Sequence, residues 1–320
     1  MTKKSKITLV CALCVCLMAG AAMTLSACAS KDKRTKIVCT IFPQYDWVTN
    51  ILGEKKNDFN VIYLLNSGID LHNYQPTVKD VANISTCDLF IYVGGDSDEW
   101  VEDVLANKKN KDMEIISLFD EIEELEEGEG SGTGHEHEED DDCDEHVWLS
   151  LLNAQYLIEV ITEAICELDE DNSEIYLENA EAYKTQLNDL HERYESELPT
   201  VKKPLVIADR NAFHWLAEDY GFEIIAAFNG CAAQIDMSPA VIASLKNAVT
   251  SNGINYVLTL EKPNAETIRF ANTIAGAKTP SATRKILHSA QSVSKKDIKG
   301  GLTYLKIMKD NLDVLKLALA

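Results

Sequence analysis

Residues 36–65 read KIVCTIFPQYDWVTNILGEKKNDFNVIYLL. Residues 36–40 and 59–65 are short runs, apolar and β-branched, while 45–52 place apolar residues at helical spacing. Strands that are apolar throughout, and do not alternate with polar residues, are buried on both faces. A helix of roughly ten residues between two such runs is the crossover that parallel pairing requires. The stretch is read as one βαβ unit of a helix-covered parallel sheet.

Working outward, 89–93 and 114–118 repeat the strand pattern, and 77–84 and 99–106 repeat the helical one. Residues 121–145 carry the acidic, glycine-containing tract GEGSGTGHEHEEDDDCDEH and are expected to form a mobile loop. Ala154, Leu157, Ile158, Ile161, Ile165 and Leu168 then share one helical face. A second helix starts from Ser173 as a plausible N-cap, with a stripe of Tyr176, Leu177, Ala180, Tyr183, Leu187, Leu190, Tyr194 and Leu198 ending at Pro199. At about 1.5 Å per residue it spans about 39 Å, enough for a strut between lobes. Strands at 205–208, 223–227, 256–260 and 284–287 follow, alternating with helices at 212–219, 239–249 and 265–275 and closing on a helix at 299–317. The fold class is α/β: two lobes, each a four-stranded, mainly parallel sheet covered by helices, joined by a long helix. Ligands in such open sheets bind beyond the carboxyl ends of the strands, which directs attention to a cleft between the lobes.

The first residues carry a different message. Lys3, Lys4 and Lys6 precede an apolar stretch over 7–25 that ends in Leu25-Ser26-Ala27-Cys28. This is the layout of a lipoprotein signal, with Cys28 as the lipidated residue; an uncleaved anchor helix is the alternative. The expected organisation is a signal at 1–27, a first lobe at 28–120, the acidic loop at 121–145, a connecting segment at 146–200 and a second lobe at 201–320. Either reading of the leader puts the protein outside the cytoplasm, held at the cell membrane. The net charge of −22 argues against nucleic acid or anionic lipid as partner and suits a cation. Cys39, Cys87, Cys143, Cys166 and Cys231 include no CxxC pair, and most are read as small buried apolar side chains.

Histidine is the commonest protein ligand of zinc-like ions. His72 lies in the loop after the second strand, His146 follows the acidic loop ahead of Trp148, and His288 lies just past the last strand. All three are candidate metal ligands. His135 and His137, flanked by Glu136, Glu138, Glu139 and three aspartates, form a candidate weak, fast-exchanging ion-capturing cluster, with a plain solvated linker as the alternative. His191 and His214 fall within helices and are read as surface or interface residues.

The segment GIDLHNYQPTVKDVANISTCDLFIYVGGDSDEWVED at 68–103 resembles the first-ligand region of the solute-binding proteins of zinc and manganese ABC importers, the ZnuA-like family. His72 takes the place of the ligand histidine there, with Leu71 where a proline is usual. HEHEEDDDCDEHVWLSLLNAQ at 135–155 is similar to the family's histidine-rich loop and second-ligand motif, making His146 the second ligand. Residues 169–190 resemble its backbone helix and 300–319 its last helix. At the third-ligand position the chain departs from the pattern: in Ala208-Asp209-Arg210-Asn211-Ala212-Phe213 an arginine stands where many zinc members have histidine. Arginine stays protonated and cannot ligate, so Asp209 or Glu261 is expected to supply a carboxylate, with His288 at the last position. The resemblance implies a non-enzymatic zinc carrier with a rigid connecting helix, whose partners are an ABC permease and its ATPase. Three imidazoles and one carboxylate suit Zn2+ better than Mn2+, which favours more oxygen. The alternatives are manganese or another transition metal, a metal-containing surface adhesin and, more distantly, a zinc hydrolase. No HExxH, GxSxG or Walker A motif supports the hydrolase.

Overall fold

The computed structural model describes residues 32–128, 144–228 and 238–320, and in them the strands form two four-stranded sheets. Strands β1 (Thr35–Cys39), β2 (Phe59–Tyr63), β3 (Leu89–Tyr92) and β4 (Glu114–Ser117) stand in the order β2-β1-β3-β4. Strands β5 (Leu205–Arg210), β6 (Ile224–Phe228), β7 (Tyr256–Thr259) and β8 (Thr283–Ile286) repeat that order as β6-β5-β7-β8. Every pairing is parallel. The order reverses between β1 and β3 and between β5 and β7, so each sheet opens a crevice at the carboxyl end of those strands.

Burial explains the absence of alternation in the strand sequences. In β5, Leu205 and Ile207 face the main core, which continues through the first sheet and the long helices, while Val206 and Ala208 face a smaller core with Leu245, Val249, Phe270 and Ile274. Successive residues point to opposite faces, and both faces are covered. The edge strands β6 and β8 are only partly buried.

Helix α1 (Phe42–Leu52) begins ahead of the expected residue 45, because the Gln44 side chain accepts from Thr40 N at 2.9 Å and Ile41 N at 3.1 Å while Pro43 presets the first turn. Helices α2 (Val78–Ile84) and α3 (Trp100–Ala106) complete the first sheet's cover. Helix α4 (Leu118–Gly128) corrects the expectation of a loop from residue 121: Leu118, Phe119 and Ile122 are buried, with Leu125 packed against them, a stripe at helical spacing that draws the acidic segment into a helix. The remainder of that tract, with His135, His137 and Cys143, lies outside the described residues, as do Cys28 and Cys231. Cys39 and Cys87 are buried free thiols and Cys166 is half-buried.

Helices α5 (Leu151–Leu168) and α6 (Ser173–Glu197) follow. Helix α6 buries Tyr176, Ala180, Tyr183, Leu187, Leu190 and Tyr194, but Leu177 is exposed. Ser173 is its first residue and not its cap, its hydroxyl donating to Cys166 O and Glu170 O. The second sheet is covered by α7 (His214–Tyr220), α8 (Pro239–Ser251) and α9 (Ala265–Ala275). The single terminal helix expected over 299–317 is two, α10 (Lys295–Lys299) and α11 (Tyr304–Ala318). Gly300 and Gly301 break it, Gly301 at φ +88°, where a side chain is disfavoured, and Thr303 caps the restart. The tyrosine hydroxyls of α6 tie it down: Tyr183 donates to Asp46 Oδ2 at 3.2 Å and Tyr194 to Met308 O at 2.6 Å.

Candidate metal centre

The loop leaving β2 forms a single 3-10 turn, Leu71–Asn73, anchored by the fully buried Leu71 and capped by Asp70, whose Oδ1 accepts from His72 N at 3.0 Å. That turn presents the His72 ring at the carboxyl end of the first sheet. A second turn, after β3, meets it from the side. Asp98 Oδ2 accepts from Val93 N at 2.8 Å and Gly94 N at 3.3 Å, and Gly95 runs at φ +69°. A Cβ on Gly95 would lie 2.9 Å from Glu145 Oε2, so only glycine lets this turn accept the buried Glu145 carboxylate. Ser97 on the same turn donates through its hydroxyl to Glu145 Oε1 and sits 2.7 Å from His72 Nδ1.

His146 is placed by different means. It precedes the 3-10 turn Val147–Leu149, three fully buried residues, and Trp148 Nε1 donates to Ser289 O at 2.7 Å while Trp148 O accepts from the Tyr304 hydroxyl at 2.6 Å. Asp144 Oδ1 meets His146 Nδ1 at 2.5 Å and accepts His146 N at 3.0 Å. The Trp215 indole in turn donates to Asp144 O at 2.7 Å.

These partners fix the tautomers. The Ser97 hydroxyl proton is directed to Glu145, so His72 must donate from Nδ1 to Ser97; a carboxylate at His146 Nδ1 requires a proton there as well. In both neutral rings Nε2 is then a bare lone pair, and the two Nε2 atoms face each other at 3.3 Å. Both rings are buried, their side chains 3% and 0% exposed. Two facing acceptors satisfy neither, whereas a cation satisfies both. Two nitrogen ligands at about 2.0–2.1 Å from a tetrahedral zinc ion are about 3.3–3.4 Å apart, so the spacing is that of one edge of a zinc tetrahedron. The carboxylates behind the rings are the partners that orient ligand histidines and raise their basicity. Burial alone would favour neutral carboxyls, yet His146 holds Asp144, and His72 holds Glu145, below the ordinary carboxylate range.

The other expected ligands do not join the pair. Asp209 serves the backbone, Oδ1 accepting from Arg210 N at 3.0 Å and Oδ2 from Leu260 N at 3.3 Å. Glu261 accepts from Ser289 N, Ser292 N and the Ser289 hydroxyl at 2.9–3.1 Å. His288 Nδ1 accepts from Ala290 N at 2.9 Å, which leaves its proton on Nε2 and no lone pair free. Among the described residues no three His, Cys, Asp or Glu side chains gather to hold one ion. Arg210 stands by the imidazole pair, close enough for its charge to oppose protonation of both rings. His191 meets the Tyr220 hydroxyl at 2.9 Å and His214 is exposed on α7, in keeping with ordinary surface roles.

Reading the sequence overlooked Asp70, Ser97, Asp144 and Glu145. Two of them carried a signal: carboxylates one and two residues before a histidine that itself leads into a buried tryptophan.

Residues 37–318 match the family model described as ZnuA, Zinc-uptake complex component A periplasmic. The high-affinity zinc uptake system protein ZnuA of Bacillus subtilis is 33% identical over 324 residues, covering 99% of this chain and 98% of that protein. The zinc-binding lipoprotein AdcA of Streptococcus pneumoniae is 30% identical over 301 residues, 92% of this chain but 58% of AdcA. The crystal structure of the Zn(II)-bound ZnuA-like domain of that AdcA aligns with a TM-score of 0.70 at 28% identity, over 89% of this chain and 98% of the domain.

Proposed function

The chain belongs to the zinc-uptake complex component A family, and from that premise we propose that it is the zinc-capturing, extracytoplasmic solute-binding protein of an ABC importer. Zinc is cargo here, taken up between His72 and His146 and passed to a permease driven by its ATPase. The reading is of capture and hand-over, not catalysis. It rests above all on the two buried Nε2 lone pairs facing each other at 3.3 Å, an arrangement suited to zinc more than to manganese because both donors are nitrogen. Cys28 is proposed as the lipid attachment point that keeps the protein at the membrane, in line with the lipoprotein name of the pneumococcal relative. Among the described residues no helix is long and apolar enough to cross a membrane.

Protons and zinc compete for the same lone pairs, which gives the test. Burial opposes charge on His146, but the Asp144 carboxylate outweighs it and raises the imidazole above its ordinary value of about 6.5. Burial lowers His72, against the pull of Glu145. As pH falls, His146 therefore protonates first. Zinc affinity drops about tenfold per pH unit from above the ordinary histidine range, and more steeply only once His72 also titrates. Calorimetric titration of the metal-free protein between pH 8 and pH 5 measures this slope. Affinity that stays flat down to pH 5 would remove imidazole ligation and the proposal with it.

A further inference from the structure

Arg210 ends β5 and its guanidinium meets Asp70, the carboxylate that also accepts from His72 N, with its side chain 6% exposed. A buried guanidinium offers five N–H donors and needs acceptors for them. Here Nη1 reaches Asp70 Oδ1 at 3.4 Å, a long contact, and Nε is buried with no acceptor at all. Asp70 is committed elsewhere, Oδ1 to His72 N at 3.0 Å and Oδ2 to Gln291 Nε2 at 3.2 Å. The guanidinium thus remains short of acceptors beside the place where a cation would sit.

Zinc between His72 and His146 has two nitrogen ligands and takes four. Arginine cannot be a third, and a bare dication facing it is repelled. A small oxyanion answers both needs: one oxygen becomes the third ligand, with water left to fill the fourth position, while another accepts from the arginine N–H groups. We propose that Arg210 makes this centre a receptor for zinc together with a small oxyanion, a bicarbonate or a simple carboxylate, bridging the metal and the guanidinium. This rests on the two-histidine reading of the site. The family resemblance implies a ligand histidine at Arg210's position, and in this chain the anion takes over that place on the metal.

The test is calorimetric titration of zinc into the metal-free protein in carbonate-free chloride buffer, repeated with millimolar bicarbonate and with millimolar acetate, for wild type, Arg210→Gln and Arg210→Ala. Wild type should bind zinc about tenfold to a hundredfold more tightly with one of the anions, the scale of a charge-assisted hydrogen bond to a buried group. The more effective additive identifies the anion's source. Both variants should lose that increment and bind alike in all three buffers. Tight wild-type binding that ignores both anions overturns the proposal while leaving the histidine site intact, since a protein side chain then completes the coordination. An anion effect that survives in both variants overturns it too, and so does equal weakening of the variants in every buffer with no anion effect in wild type, which would make Arg210 only a brace for Asp70 and Gln291. Absence of zinc binding by wild type in any buffer overturns the site itself.

Discussion

Replacing His146 with alanine abolishes tight zinc binding, weakening it by more than about 100-fold. The size follows from position. Removing an outer partner of a metal ligand already costs about 10- to 100-fold in affinity, and His146 is the ring that such partners serve: Asp144 holds its Nδ1 at 2.5 Å and Trp215 holds Asp144. Its loss leaves His72 as a single nitrogen donor at the pair and a buried Asp144 without its partner. The ring contributes little apolar surface, but a buried carboxylate stripped of its partner costs about 3–5 kcal/mol, so stability should fall together with affinity. Calorimetry together with urea unfolding of the same variant separates the two quantities. A variant that binds zinc within a few-fold of wild type would show that the ion sits elsewhere.

The second large effect is on stability. Trp148→Ala should destabilise the protein by about 4–5 kcal/mol, the upper part of the range for deleting a buried aromatic side chain, because a cavity and an unpaired carbonyl are left together. Trp148 is fully buried, and its Nε1 donates to Ser289 O at 2.7 Å across 141 residues of sequence, linking the His146 segment to the loop that follows β8. The indole also packs on the His146 ring with centroids 5.0 Å apart. Zinc affinity should therefore fall as well, by loosening the imidazole. Trp148→Phe keeps most of the volume and loses the N–H, so its cost should be nearer about 1–3 kcal/mol. Equal denaturant midpoints for wild type and Trp148→Ala would mean that this linkage does not hold the two segments together.

The architecture was legible because it is written in local patterns. Residues 36–65 contain a whole βαβ unit, and apolar runs such as β3 and residues 205–208 of β5 announce burial on both faces. Sheet order was less accessible, since it depends on which crossovers lie on which face, a property of packing between distant segments. Local misreadings have local causes: Gly300 and Gly301 sit inside a long apolar periodicity that hides the break between α10 and α11, and the stripe of α4 lies in a tract dominated by acid. His72 and His146 could be picked out by their places after a strand and before a buried tryptophan. What could not be read was their outer support. Glu145 lies 3.1 Å from His72 Nδ1 and shares Ser97 with it, by way of a turn that only Gly95 permits. Nor does residue type reveal that Asp209 and Glu261 each accept from backbone N–H groups.

Zinc K-edge X-ray absorption of the metal-loaded protein in solution tests the central claim most directly. The expected spectrum has a nitrogen and oxygen shell at about 2.0–2.1 Å, with the outer-shell scattering of two imidazoles and no sulfur, and it loses imidazole scattering in His72→Ala and His146→Ala. A shell of oxygen alone, or imidazole scattering unchanged in both variants, would contradict zinc capture between His72 and His146.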